Sequence, residues 1–292
     1  MWTIQADLAF RAEAQLGEGA LWDSSAGKLR WVDIERGHLM ELDVVSGDNK
    51  TIDLGEKVGT VVPRSRGGVV VALEHSIEAV APDGRRERLA EFDKHAPGNR
   101  GNDGKCDPQG RFWFGSMSPE AEPGQASLYR LDPDLSLHRM LSGVSISNGI
   151  VWTRDGGAMF YIDTPTREVW RFAFDPETGT ISDKQVALRI PQELGYPDGM
   201  TIDAQDRVWI AMFGGHGVTV WDPYGGSLLG KVEVPAKNVT SCAFGGPNLD
   251  RLFVTTARIL TTDEELARHP YAGSVFVAET EAQGLSQQAF EG

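Results

Sequence analysis

The sequence predicts an all-β protein, a single six-bladed β-propeller spanning residues 1–292. Three observations carry this expectation. Turn residues punctuate the whole chain, with 34 Gly and 15 Pro. Between them lie short runs that alternate apolar and polar residues or are rich in β-branched and aromatic ones. These runs recur at about 40–50 residues with about four strands per unit, the signature of propeller blades.

The six units follow in order. GALWDSSAGKLRWVDI opens the first near Glu18, and TVVPRSRGGVVVAL opens the second at Thr60. DGKCDPQGRFWFGSM continues the third from Asn102, and NGIVWTRDGGAMFYIDT begins the fourth at Asn148. The fifth, DGMTIDAQDRVWIAMF, starts at Asp198, and the sixth, SCAFGGPNLDRLFVTTA, at Ser241. Each unit runs on into a further strand, such as SLYRLDPD or GVTVWDPYGG. Segment 1–14 precedes the first unit, and its alternation suits a strand that joins the last blade and closes the ring. Only TDEELARHP, 262–270, reads as helical. A β-sandwich would not give six equivalent units, and a parallel β-helix would have a shorter period.

Composition narrows the function. The net charge is -14, without a basic stripe, which argues against a duplex nucleic-acid surface or an anionic membrane as partner. The short RRER at 85–88 reads as a solvated turn. No run approaches the ~18 apolar residues of a membrane span. The opening residues lack the basic and apolar regions of a signal peptide, so a cytoplasmic address is expected. Cys106 and Cys242 sit in apolar or alternating segments and read as reduced core residues. No obligate protein partner is evident.

The repeat places the chemistry. The first strand of each blade lines the tunnel, and these strands run the same way. Residues at one phase of the repeat therefore meet at one mouth. That phase carries Glu18, Asn102 with Asp103, Asn148 and Asp198. Taken singly, Asn148-Gly149 and Asp198-Gly199 read equally well as turn dipeptides. Four units sharing the pattern favour a site. Two carboxylates crowded there would be pushed up in pKa unless a cation compensated them. An all-oxygen donor set suits Ca²⁺, Mg²⁺ or Mn²⁺ ahead of a dedicated zinc site. Strict alternation would turn Asp103 and Lys105 away from Asn102, making Asp103 a residue behind the site in preference to a substrate contact. His75 and His216 read as ordinary residues near a mouth. Most tryptophans read as packing, with Trp22 and Trp152 the candidates for a sugar platform.

LGEGALW (16–22), RGNDGKCDPQGRFWFGSM (100–117), SNGIVW (147–152), PDGMTID (197–203), TTAR (255–258) and YAGSVF (271–276) together resemble the senescence-marker-protein/gluconolactonase/luciferin-regenerating-enzyme family. The resemblance covers nearly the whole chain, and each motif falls on a different blade. It implies a six-bladed fold, one divalent metal ion (Ca, Mg, Mn, Zn or Fe) and hydrolysis of a sugar lactone to the aldonic acid. It assigns Glu18, Asn148 and Asp198 as metal ligands and Asp198 also as general base. Arg100 and Asn102 would contact substrate, with Arg100 alternatively paired to Asp103. Glu120, or its neighbour Glu122, would supply a further substrate contact. The competing expectations are a cation-binding or docking propeller without catalysis, and a phosphotriesterase-like hydrolase on the same architecture.

Overall fold

Each repeat unit folds into an antiparallel sheet, and the computed structural model, describing residues 1–292, arranges the six sheets as propeller blades. The inner strands of the six blades are Gly17–Asp23, Thr60–Pro63, Arg100–Cys106, Ser147–Trp152, Tyr196–Ile202 and Asn238–Gly245. Burial falls from the axis to the rim. Gly17–Asp23 is buried throughout, whereas the outer strands Asn49–Asp53 and Thr180–Arg189 are largely exposed. The sequence follows the same gradient, from apolar and small residues inside to Lys, Asp and Thr outside. Apolar clusters bridge adjacent blades; one joins Val151, Phe160 and Ile162 of blade 4 to Met200, Ile202 and Ile210 of blade 5.

One repeated clamp shows why the units share a shape. Asp107 accepts hydrogen bonds from the backbone of Gln109 and Arg111, from Arg111 Nε and from Trp113 Nε1. Asp203 accepts the matching set from Gln205, Arg207 and Trp209. The spacing D-x-Q-x-R-x-W thus ties a turn to a buried Trp in blades 3 and 5.

Ring closure is more divided than the alternation of segment 1–14 suggests. Asp7–Phe10 pairs antiparallel with Val275–Glu279 and completes blade 6. Trp2–Gln5 instead pairs parallel with Ser227–Glu233 and adds a fifth strand to blade 5. Ala6, buried between them, donates its N–H to Glu233 O at 2.9 Å.

Residues 283–292 form a strap on the far side of the ring from Glu18 and Asp198. Gln283 O accepts from Ala204 N, Phe290 exchanges backbone bonds with Pro63 and Ser65, and Glu291 N donates to Gly110 O. The fully buried Phe290 ring anchors the strap between blades 2 and 3. Beneath it lies a cavity of about 250 Å³, lined among others by Lys105, Trp152, Ile202 and Leu285.

The helix is Asp263–Arg268, started by a Thr262–Glu265 capping box. Cys106 and Cys242 are buried free thiols. The RRER segment is not a free turn, since Arg86–Glu91 is the outer strand of blade 2 and Arg86 pairs with Glu56 and Glu78. Trp22 and Trp152 are both buried. Trp22 stacks on Phe253, and Trp152 packs edge-on against Trp113 and Phe174. Both are packing residues, because each sits at the end of its inner strand away from Glu18 and Asn148. No helix is long and apolar enough to cross a membrane.

Candidate active site

The candidate residues share one structural device. The ladder between first and second strands slips at Glu18/Leu21, Gly101/Gly104, Asn148/Ile150, Pro197/Met200 and Val239/Ser241. These are β-bulges, which re-aim side chains and increase local twist. Glu18, Asn102, Asn148 and Asp198 all lie at such slips. The regular inner strand, Thr60–Pro63, contributes no candidate.

Two glycines have a different role from the turn reading. Gly149 and Gly199 lie inside inner strands. A Cβ on Gly149 would stand 2.5 Å from Met200 Cβ and 2.9 Å from Asp198 O. One on Gly199 would meet Ser241 Oγ at 2.7 Å. The glycines let successive inner strands approach closely and set Asn148 beside Asp198.

Glu18, Arg100, Asn102, Asp103, Asn148 and Asp198 are all buried. The carboxyl groups of Glu18 and Asp198 come within reach of each other. Burial pushes Glu18 up to about 8, and the Asp103 charge adds to the shift. Burial also raises Asp198, followed by the charge of Glu18. Asp103 acts on both carboxyls because the bulge at Asn102–Asp103 breaks the alternation that would have turned it away. Its own carboxylate accepts from Gly104 N at 2.8 Å. Lys105, also buried, reaches across the tunnel to donate to Met200 O at 2.9 Å.

The amides and Arg100 are linked. Arg100 Nη1 donates to Asn102 Oδ1 at 2.7 Å and to Gly101 O at 2.8 Å, and makes no ion pair with Asp103. Asn102 Nδ2 donates to Ser147 O at 2.8 Å and lies 3.4 Å from Asn148 Oδ1. Asn148 Nδ2 donates to Thr164 Oγ1 at 2.8 Å, and Thr164 Oγ1 donates to Pro197 O at 2.8 Å. Thr164 stands on the loop after the second strand of blade 4 and was no part of the sequence expectation. A lone Thr before Pro carries no signal until the neighbouring blade is in place.

Glu120 and Glu122 lie exposed on loop 118–125. That loop follows Met117, which pairs with Arg100, so it stands over the same mouth. His75, on the corresponding loop of blade 2, directs Nε2 to Pro97 O at 3.1 Å. His216 packs beside His269 at a ring separation of 5.2 Å.

The residues fit a divalent cation. Two buried carboxyls held against each other and pushed up in pKa mark negative charge in want of compensation. No three His, Cys, Asp or Glu side chains are placed so that they alone could hold a metal ion. Any cation held here would take amide oxygen beside carboxylate, a hard donor set.

Residues 16–258 match the family model described as SMP-30/Gluconolactonase/LRE-like region. A Bacillus subtilis (strain 168) protein named "Putative sugar lactone lactonase YvrE" is 39% identical over 290 residues, covering 99% of each chain. Regucalcin of Danio rerio is 34% identical over 288 residues, covering 94% of each. The crystal structure of a calcium-binding protein, regucalcin, from Agrobacterium tumefaciens superposes with a TM-score of 0.95 at 27% identity, covering 100% of this chain and 99% of that one.

Proposed function

The chain belongs to the SMP-30/gluconolactonase/LRE-like family, and from that premise we propose that it is a metal-dependent hydrolase that opens a sugar lactone to its aldonic acid. The meeting of the Glu18 and Asp198 carboxyls at a bulged, buried tunnel mouth carries this reading. Glu18, Asn148 and Asp198 would hold one divalent cation. When bound, that ion supplies Lewis acidity at the lactone carbonyl and offsets the charge of both carboxylates.

The chain's own groups account for the rest. Asp198 accepts a proton from the attacking water and returns it to the ring oxygen as the acyl C–O bond breaks, leaving a hydroxy acid. Burial raises the pKa of Asp198, the direction that strengthens a proton acceptor. Arg100, a buried guanidinium already anchored to Asn102, orients the oxygens of the lactone. Asn102 holds that guanidinium and the edge of blade 4 together. Glu120 reaches substrate hydroxyls from the exposed loop above.

The test is turnover of gluconolactone, xylonolactone, arabinolactone and galactonolactone, each with Ca²⁺, Mg²⁺, Mn²⁺, Zn²⁺ or Fe²⁺, by wild type and Asp198→Asn. Cation-dependent hydrolysis that falls at least about 100-fold in Asp198→Asn is expected. Equal rates in the two proteins would overturn the role of Asp198. Tight cation binding without turnover of any lactone would favour a calcium-binding propeller, in keeping with the name of the Agrobacterium protein.

A further inference from the structure

An asparagine can bind a cation only through its oxygen, so something must decide which end of the Asn148 amide faces the tunnel. The hydrogen bonds around it have a single direction. Arg100 is purely a donor, and it donates to Asn102 Oδ1 at 2.7 Å. At the other end Pro197 O is purely an acceptor, so the 2.8 Å contact with Thr164 Oγ1 must use the threonine proton. Thr164 Oγ1 then has only lone pairs to offer Asn148, and the amide must turn its nitrogen toward them. Its oxygen is left on the other side, where it accepts a long hydrogen bond from Asn102 Nδ2 at 3.4 Å. A flipped Asn148 would set its oxygen against the committed oxygen of Thr164. Relieving that clash would strip the Pro197 carbonyl of this donor.

We propose that Thr164 is a positioning residue that fixes the Asn148 amide with its nitrogen committed and its oxygen on the opposite side, where only the long contact from Asn102 would compete with a cation, and that one hydroxyl thereby couples Asn148 on blade 4 to the backbone that carries Asp198 on blade 5. This rests on the cation reading above. Groups behind metal ligands commonly change affinity by about 10–100-fold when removed.

Thr164 also joins two blades, so its test must separate orientation from stapling. Thr60 provides the control, because Thr60 Oγ1 donates to Gly104 O at 3.0 Å between blades 2 and 3 and touches neither Asn148 nor Asp198. Ca²⁺ and Mn²⁺ binding would be measured by calorimetry for wild type, Thr164→Val, Thr164→Ser and Thr60→Val, with melting midpoints alongside. The expected result is an affinity loss of about tenfold or more in Thr164→Val. Recovery is expected in Thr164→Ser, and no affinity change in Thr60→Val whatever its midpoint. Wild-type affinity in Thr164→Val, or equal losses in Thr164→Val and Thr60→Val, would overturn the proposal. A second readout needs no cation: the Asn148 side-chain amide ¹⁵N–¹H signals of the metal-free protein, assigned by their loss in Asn148→Asp. These should leave their hydrogen-bonded position in Thr164→Val and keep it in Thr164→Ser; no movement in Thr164→Val overturns the proposal. A wild type that binds no divalent cation would remove the functional reading above, while the amide signals would still decide the role of Thr164.

Discussion

Glu18 of blade 1 and Asp198 of blade 5 bring two buried carboxyls together, and burial raises the pKa of each. Two consecutive blades do not make this pair. Blade 5 meets blade 1 across the tunnel, and the pairing is a property of the closed ring.

A pH dependence follows. Glu18 is raised from 4.5 to about 8, and Asp198 is also raised, so the native protein holds protons that the unfolded chain has lost. The stability that Glu18 contributes is fully present below its ordinary value and is lost as pH rises through about 8, and Asp198 adds in the same direction. The melting midpoint of chelator-treated protein should therefore fall between pH 5 and 8. Saturating cation should remove most of that fall, and Glu18→Gln should flatten it without cation. A midpoint that fell equally in wild type and Glu18→Gln would refute the assignment.

The paired clamps differ in burial, and so should their mutants. Arg111, held by Asp107, is 8% exposed, whereas Arg207, held by Asp203, is 29% exposed. Asp107→Ala leaves a buried guanidinium without its carboxylate and a buried indole N–H without its acceptor, and should cost about 3–5 kcal/mol. The midpoint should fall by about 10 °C for a chain of this size. Asp203→Ala should cost clearly less, because water reaches Arg207. Thermal unfolding of the two single mutants checks the order.

Gly149→Ala tests whether strand approach sets the site. The added methyl must push Met200 or the Asp198 carbonyl aside, an overpacking cost of about 1–3 kcal/mol. It should also weaken cation binding, because the displaced backbone carries Asp198. Gly98→Ala, with nothing within 4 Å of its Cβ, is the neutral control. Unchanged cation affinity in Gly149→Ala would contradict this account.

Much of the architecture was legible because it repeats. D-x-Q-x-R-x-W in blades 3 and 5 is a local pattern with a local cause, and polar residues at one repeat phase announce the mouth. The bulges were not legible, and they moved Asp103 from behind the site into its electrostatics. A bulge shows in pairing register, which depends on the neighbouring strand. Trp22 and Trp152 looked like platforms because nothing local shows which end of an inner strand faces the site. Taken alone, Asn148-Gly149 can be read as a turn, because the strand that crowds Gly149 belongs to the next blade. The strap at 283–292 has little strand character, and only its partners at Pro63, Ser65 and Gly110 define it.

The division of residues 2–10 between two blades bears on the order of assembly during synthesis. Trp2–Gln5 and Asp7–Phe10 emerge from the ribosome long before 227–233 and 275–279, the strands that receive them. Until those strands exist, the early segment has no partner and stays unpaired while the blades between are made. Pairings this distant along the chain slow folding and prolong exposure of unpaired strand edges. Once made, they work in reverse: one short segment latches two neighbouring blades, and neither can peel away without releasing the other.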